Sequence, residues 1–401
     1  MSAPSRTADT GMRLGYALLG YMLGVALIIT LLPFNFRRPD EWRMMLGGDP
    51  VDVVANVLLF IPLGFFYRLA QPARRRSALW VLALGALVSG AIETAQLFEA
   101  VRNASPLDVA ANAIGAWLGA LAADRVASGG KAGGRLVGWL VLELPLMGLV
   151  YLLVPLLWID ALSPAAQAAR GAMAPLLGAF GALLLGGMQR HYFAPAGTSV
   201  PHRTAAFASL WFIAGAFPAL AARPGNVVIG ALGAGALCWW YGRRAPGAPA
   251  SNRRFEASLL KLAAPFYAAY LVLVAIAPLR DGIAAWTLYT GFPDAASAQI
   301  EIVRLLELVA AFTLVGYMVA EFGGRALPRY RDAVPRLLAW AAALACALEV
   351  LWGFRAGHGA SLARGGLVAA AALYGGWLYY LQREHVVRLL AEAEPQPQTQ
   401  T

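Results

Sequence analysis

The sequence contains few of the residues that build disulfide scaffolds, metal centres or nucleophilic sites. Its 401 residues include only two cysteines, Cys238 and Cys346, and four histidines that stand singly. Each cysteine falls inside an apolar run, so neither a disulfide framework nor a cysteine metal site is supported. The histidines show no spacing typical of metal ligands. We therefore expect no cofactor and no bound metal.

Charged residues are also scarce. Only 13% of the residues are Asp, Glu, Lys or Arg, whereas 59% are hydrophobic. Apolar runs recur from end to end, each about the 20 residues that a helix needs to cross hydrocarbon. The formal net charge of +10 comes from short basic clusters between these runs, so we expect no nucleic-acid partner. The sequence predicts a polytopic membrane protein in contact with membrane lipids.

The apolar runs predict an all-α transmembrane bundle of about twelve spans, arranged as 4+4+4. The spans are placed at about 12–34, 51–69, 79–98, 106–124, 136–158, 172–188, 204–222, 226–241, 258–278, 302–321, 335–354 and 361–381. With a cytoplasmic N-terminus, the cytoplasmic segments carry 22 of the 32 basic residues. Because positive loops remain inside, both termini are expected in the cytoplasm. The Ala-, Gly- and Arg-rich composition is common in GC-rich bacteria, so we expect a bacterial inner membrane.

Polar residues that should lie within the membrane gather on spans two, three and four. Such residues cost energy in lipid unless they are paired, and they usually mark a functional site. In the predicted topology they converge on the outer half of the bilayer. Within each span they stand three or four residues apart and so share a helix face. The candidate ligand-binding residues are Asp52, Asn56, Glu93, Gln96, Arg102, Asp108 and Asn112.

Two interpretations of this polar set are open. It forms either a binding or catalytic site, with Arg102 as the countercharge of Glu93 or Asp108, or a hydrogen-bonded plug that holds three helices together. For Asp108 the plain interpretation is a charge near a helix N-terminus, where Ser105 is a candidate N-cap. For the whole set we favour a binding site, because a plug alone would not need so many polar groups.

Three sequence blocks in this region resemble the VanZ-like family, which is named after a protein associated with teicoplanin resistance. The blocks are NVLLFIPLGFFYR at 56–68, ETAQLF at 93–98 and RNASPLDVAANAIGAWLGA at 102–120. The family pattern is kept at every position, namely Asn56, Phe60, Pro62, Leu63, Gly64, Glu93, Gln96, Arg102, Asp108, Asn112 and Gly115. The resemblance implies a four-helix bacterial membrane domain at about 12–125. It implies no settled biochemistry.

A shift of 256 residues suggests that this domain has a degenerate second copy at about 258–381. It pairs Glu93 with Glu349, Ser105 with Ser361 and Gly119 with Gly375, and a shift of 252 pairs Gly64 with Gly316. The copy has lost most of the polar set, because Trp352, His358, Arg364 and Val368 replace Gln96, Arg102, Asp108 and Asn112. We expect a scaffold with Glu349 in a salt bridge to Arg364 or Arg355. The alternative is that these three residues bind a different group.

The remaining segments are a middle four-helix region at 136–241 and a tail at 391–401. The middle region shows packing residues and a single intramembrane acid, Glu143. The tail is rich in Pro, Gln and Thr and is expected to be disordered.

The predicted outward-facing polar pocket suits a lipid head group, a lipid-linked glycan or an amphiphilic antibiotic. The first hypothesis is therefore a binding protein of the cell envelope that acts in surface-polymer biogenesis, and the VanZ-like resemblance links it to glycopeptide resistance as well. The second is an enzyme in which Glu93 is general acid or base and Arg102 steadies a phosphate or carboxylate of a lipid-linked substrate. The third is a transporter or flippase, which twelve spans and a duplication favour.

Overall fold

A computed structural model describes twelve α-helices, one at each predicted span. The described residues are 6–38, 45, 47–71, 77–99, 103–128, 146–162, 171–193, 201–244, 255–277, 282–292, 298–324, 326–355 and 359–393. The first residues of the fifth predicted span, including Glu143, lie outside these ranges, as does Arg102.

The helices are numbered in chain order. The first six are α1 Arg6–Leu31, α2 Pro50–Leu69, α3 Ala78–Gln96, α4 Pro106–Ser128, α5 Met147–Leu162 and α6 Met173–Met188. The others are α7 Pro201–Gly215, α8 Pro224–Gly242, α9 Phe255–Ile276, α10 Ala298–Gly323, α11 Tyr330–Trp352 and α12 Leu362–Ala393. Two short strands, β1 Leu288–Tyr289 and β2 Ala360–Ser361, pair in parallel.

The chain separates into two compact units. The first contains α1 to α4 and the last part of α12, from Tyr380 onward, and the second contains α5 to α11 and the first part of α12. In the first unit, the end of α12 lies beside the start of α1, where the His385 imidazole packs against Gly11.

Seven helices of the described residues are long and apolar enough to cross a membrane, namely α1, α2, α3, α4, α9, α10 and α11. Helix α5 is apolar but spans only 16 residues. The all-helical, multi-pass class is therefore as predicted, while twelve crossings in a 4+4+4 arrangement stay a prediction.

Helix α12 is longer than its predicted span. It runs for 32 residues to Ala393, so residues 391–393, which were expected to be disordered, are helical. Ala and Glu, which occupy these positions, are strong helix formers, and this preference outweighs the polar composition of the segment that follows. Residues 394–401 lie outside the described ranges.

The starts of α2 and α4 are fixed by local chemistry that the sequence displays. Proline begins both helices, where its missing N–H costs nothing. The Asp49 side chain caps α2 by accepting a hydrogen bond from the Val51 N–H at 2.9 Å. Ser105 caps α4 as expected, because its hydroxyl accepts from the Asp108 N–H at 3.4 Å.

The closest packing in the first unit lies between α2 and α4. A methyl group on Gly64 would collide with the carbonyl group of Ala116, and one on Gly119 with that of Ile61. Gly115 meets Val57 in the same way, so the small residues at 115 and 119 do serve helix packing. Gly20 and Gly24 on α1 share that spacing but face no atom within 4 Å.

A salt bridge joins α2 and α4 at the opposite end from their N-termini. The Arg68 guanidinium donates to the two carboxylate oxygens of Asp124 at 2.7 and 3.1 Å. Arg68 is buried, and the Asp124 side chain is 27% exposed. The paired, two-point geometry offsets part of the cost of burying the guanidinium.

The α2–α4 contact predicts different outcomes for two glycine substitutions. We expect Gly64→Ala to lower the melting temperature of the purified protein by many degrees, because the added methyl group must force two backbones apart. The matched variant Gly20→Ala adds the same methyl group to an open position, where the higher helix propensity of Ala makes it neutral or slightly stabilising. Thermal unfolding in mild detergent measures both. Equal melting temperatures would contradict the packing described.

Candidate functional site

The polar residues of the first unit collect at one end of its helices. We call this region the polar end: the C-terminal turns of α1 and α3, the N-terminal turns of α2 and α4, and the described parts of the loops between them. Its described polar residues are Thr30, Asn35, Arg37, Arg38, Asp49, Asp52, Asn56, Ser89, Glu93, Thr94, Gln96, Glu99, Asn103, Ser105, Asp108 and Asn112.

Glu93 lies against the N-terminus of α4. Its carboxylate accepts a hydrogen bond from the Ser105 N–H at 2.7 Å, and the side chain is buried. A carboxylate at this position also meets the positive end of the helix dipole, which contributes about 0.3–1 kcal/mol and more when buried. Glu93 therefore stabilises the α3–α4 connection, whatever else it binds.

Gln96 and Glu99 tie the end of α3 to the segment that follows α1. The Gln96 amide donates to the Thr30 carbonyl oxygen at 2.8 Å. The Glu99 carboxylate accepts from the Asn35 N–H, and the backbones of Phe36 and Glu99 form an isolated antiparallel bridge. Glu99 is only 4% exposed, yet its Oε2 atom has no hydrogen-bond partner among the described residues. A buried acceptor of this kind is costly unless a further donor reaches it.

Asn112 crosses between α4 and α3. Its amide group donates to the Ser89 hydroxyl at 2.8 Å, and both residues are almost fully buried. The amide oxygen, Oδ1, is buried and accepts no hydrogen bond from the part of the chain that the structure describes. This contact is the interhelical hydrogen bond of the plug interpretation, but it leaves one acceptor that a ligand could use.

The remaining predicted residues are less enclosed. Asp52 is exposed in the first turn of α2, and Asn56 and Asp108 are partly buried. Arg102, predicted as the countercharge, lies outside the described residues. The structure thus places Glu93, Gln96 and Asn112 in buried hydrogen bonds with neighbouring elements, whereas Asp52 stands at the rim of the polar end.

Ser89 and Glu99 are buried polar residues that the sequence prediction omitted. Ser89 precedes Glu93 by four residues and Gln96 by seven, so all three share one face of α3. This spacing on α3 could have predicted from the sequence that Ser89 belongs to the polar set. For Glu99 no local pattern exists, because its burial depends on the loop that follows α1.

An apolar cavity lies beside the polar end in the first unit. Its volume is about 220 Å³, and α1, α2, α3 and α4 all contribute to its wall. The lining residues are Tyr16, Leu19, Leu23, Phe60, Leu63, Gly64, Tyr67, Val81, Leu84, Gly85, Val88 and Ala116. Ala116 is one turn along α4 from Asn112, and Gly85 is one turn along α3 from Ser89. The apolar cavity therefore begins one helical turn away from the buried polar residues Ser89 and Asn112.

The second unit shows the same contacts at equivalent positions. Gly316 faces Ala372 as Gly64 faces Ala116, and in both pairs an added methyl group would lie 2.7 Å from the alanine Cα. The Glu349 carboxylate accepts from the Ser361 N–H at 2.7 Å, which is the distance between Glu93 and the Ser105 N–H. Helices α10 to α12 thus repeat the packing of α2 to α4 at these positions.

Contacts made by Gln96 and Glu99 at the end of α3 also recur in the second unit, at the end of α11. Trp352, at the position of Gln96, donates through its indole N–H to the Ala275 carbonyl at 2.8 Å. Arg355, at the position of Glu99, forms an isolated antiparallel bridge with Ile283. The side chains have changed, but the two connections follow the same course.

In the second unit a buried arginine occupies the position of Asp108. The Arg364 guanidinium donates to both oxygens of Glu349 at 2.7 and 2.6 Å and to the Gly359 carbonyl at 3.0 Å. It stacks on the Trp352 ring, and a third carboxylate oxygen, from Glu301, lies 3.7 Å away. The salt bridge that we expected between Glu349 and Arg364 is therefore confirmed.

One comparison with known proteins bears on the polar end. The VanZ/LLP1 family model matches residues 11–126, which include the apolar part of α1, the whole of α2 and α3, and all but the last two residues of α4. No curated protein and no solved structure matches the chain. Together with the apolar helices, the match indicates a multi-pass membrane protein. The resemblance of residues 11–126 to the VanZ/LLP1 family, which their sequence blocks predict, is therefore confirmed by the family model.

Proposed function

We propose that the first unit binds an amphiphilic ligand, with its head group at the polar end and its apolar part in the neighbouring cavity. The proposal rests on a buried polar pair that lies directly beside an apolar cavity. Along α3 and α4, the buried Ser89–Asn112 pair is followed within one turn by Gly85 and Ala116, which line a wholly apolar cavity. Binding sites for lipid-like molecules combine a few placed polar groups with such a cavity.

The side of the membrane on which the polar end lies determines which class of ligand can reach it. With the basic loops inside, the polar end lies in the outer half of the bilayer. The ligand is then a lipid head group, a lipid-linked glycan or an amphiphilic antibiotic in the outer leaflet of the inner membrane. A role in glycopeptide resistance or in surface-polymer biogenesis would follow from binding one of these.

Binding is favoured over catalysis by the environment of Glu93. The carboxylate accepts the Ser105 N–H at the start of a helix, an arrangement that holds the carboxylate in a fixed position. A general acid or base must instead exchange a proton with the substrate. Glu93 is therefore assigned to ligand binding and to the α3–α4 connection.

Filling the cavity should weaken binding. We expect Leu84→Trp, which projects an indole into the apolar cavity, to reduce several-fold the lipid that remains bound after purification from bacterial membranes. The matched variant Leu87→Trp changes the same helix at a side chain that is 69% exposed, and it should retain lipid like the wild type. Mass spectrometry of the extracted lipid, quantified per protein chain, gives the comparison. Equal retention in both variants would exclude the cavity as the site.

A second variant separates the structural role of Asn112 from its role in binding. The second unit holds Ala345 and Val368 at the positions of Ser89 and Asn112. We expect the double variant Ser89→Ala, Asn112→Val to remain folded, since both hydrogen-bonding groups are removed together. Asn112→Val alone should cost about 0.6–1.7 kcal/mol, the range for one such bond within a membrane.

The double variant should nevertheless lose the bound lipid, because the Asn112 amide can no longer contact the head group. Thermal unfolding and lipid retention are measured on the same preparations. A folded double variant with normal lipid retention would show that the amide serves helix packing alone.

A further inference from the structure

Basic side chains gather at the end of the second unit where α6 and α8 finish and α7 and α9 begin. We call this region the basic end: residues Gln189–Phe193, which follow α6, the last turn of α8 with the two residues after it, and the first two turns of α7 and α9. Its described Arg and Lys residues are Arg190, Arg203, Arg243, Arg244 and Lys261, and its only described acid is Glu256. The basic end therefore carries a net positive charge.

Three contacts bring these segments together. The Thr204 hydroxyl, on α7, donates to the side-chain oxygen of Gln189 at 2.5 Å. A methyl group on Gly242, at the end of α8, would lie 3.2 Å from the same Gln189 side chain. Gly187, near the end of α6, packs against the Leu259 side chain of α9. The charges of the four segments thus meet at one end of the unit.

The excess of positive charge belongs to a long stretch of sequence. No Asp or Glu occurs between Asp160 and Glu256, whereas eight arginines do. The stretch includes both loops at the basic end, 194–200 and 245–254, so neither loop supplies an acid that could neutralise it. The orientation of a membrane protein requires such charge on its inner loops, but it does not require the particular placement that Arg243 and Arg244 have.

Arg243 and Arg244 continue an exposed apolar stripe on α8. The large exposed side chains of this helix recur at intervals of three, four and seven residues and so share one face. They are Val228, Ile229, Leu232, Trp239 and Trp240. Because each arginine follows a tryptophan by four residues, both arginines extend the same face beyond the apolar part.

The two arginines are stacked on the two tryptophans. The Cζ atom of Arg243 lies 4.1 Å from the centre of the Trp239 ring, and that of Arg244 lies 3.6 Å from the centre of the Trp240 ring. Trp239 and Trp240 are 41% and 42% exposed, so both pairs stand at the surface. Stacking uses the flat face of a guanidinium and leaves the N–H donors in its plane to bind an anion. In the described part of the chain neither guanidinium is paired with a carboxylate.

The dimensions of the stripe fit one leaflet of a membrane. From Leu232 to Arg243 the helix rises about 16 Å at roughly 1.5 Å per residue, which is about half of a hydrocarbon core roughly 30 Å thick. Tryptophan is enriched at the level of the lipid head groups, and the arginines lie just beyond the tryptophans. In the predicted topology α8 ends on the cytoplasmic side, where anionic lipids attract basic segments.

We propose that the basic end binds the phosphate group of an anionic phospholipid of the cytoplasmic leaflet, held by Arg243 and Arg244, with an acyl chain along the exposed stripe of α8. Arginine pairs with phosphate through two parallel N–H donors, and the other basic residues of the basic end add attraction for the head group. The site lies in the second unit, so it does not depend on the function proposed for the first.

Native mass spectrometry of the full chain in mild detergent tests this site. The protein is mixed with equal amounts of phosphatidylglycerol and phosphatidylcholine, and the lipid bound to each chain is counted. We expect wild type to prefer phosphatidylglycerol, and Arg243→Gln with Arg244→Gln to lower its affinity about fivefold for each arginine removed. The comparison is repeated in the Leu84→Trp background, where lipid in the cavity of the first unit does not contribute, and the same loss is expected.

The matched control is Arg329→Gln with Arg331→Gln. It removes two exposed arginines from the same unit and, in the predicted topology, from the same side of the membrane, but neither stacks on an aromatic ring of the described residues. This control should lower the affinity only slightly. A further variant, Trp239→Leu with Trp240→Leu, keeps every charge and removes the stacked rings, and we expect it to bind phosphatidylglycerol several-fold more weakly. All these side chains are exposed, so the melting temperatures should stay close to that of wild type.

Four results would overturn the proposal. One is equal binding of the two lipids, and another is an equal loss in the two double arginine variants, which would mean that net charge alone attracts the lipid. The third is unchanged binding by the tryptophan variant, because the lipid would then not use the stripe. The fourth is displacement of phosphatidylglycerol by glycerol 3-phosphate at matching concentrations, which would make a soluble phosphate ester the ligand.

Discussion

The close approach of the α2 and α4 backbones is the constraint on which the first unit depends. At Gly64, Gly115 and Gly119 the neighbouring helix presents main-chain atoms where another residue would carry a side chain. In lipid, helices associate through such packing rather than through hydrophobic burial. This contact fixes the rotation of α4, and so determines that Asn112 meets Ser89 and that the N-terminus of α4 meets Glu93.

The second unit indicates which features belong to the frame and which to the site. The glycine contact and the carboxylate that accepts the serine N–H occur in both units, so we assign them to the frame. The amide of Asn112 and the acids at 52, 99 and 108 occur only in the first. A frame that tolerates Asp or Arg at one position, with little change in backbone contacts, is well suited to diverge in what it binds.

Much of this arrangement could be predicted from the sequence. Apolar runs of membrane-spanning length gave one helix each, and the spacing of Glu93 with Gln96 predicted a shared face. The N-cap of α4 at Ser105 was predicted as well. These features are local, because helix length, periodicity and capping depend on residues within a few turns.

The features that could not be predicted from the sequence depend on contacts between distant residues. Glu99 is buried because a loop more than sixty residues earlier pairs with it, and nothing near position 99 signals this. Gly20 and Gly115 have similar sequence surroundings, yet only Gly115 meets a neighbouring backbone. The cavity likewise depends on how four helices leave space between them, which no single pattern encodes.

The packing of His385 against Gly11 has a consequence for the two terminal helices. Gly11 begins the apolar stretch of α1, and a methyl group at this position would lie 3.0 Å from the His385 ring. A residue with a larger side chain at position 11 would therefore push against the imidazole and displace the end of α12 from the start of α1.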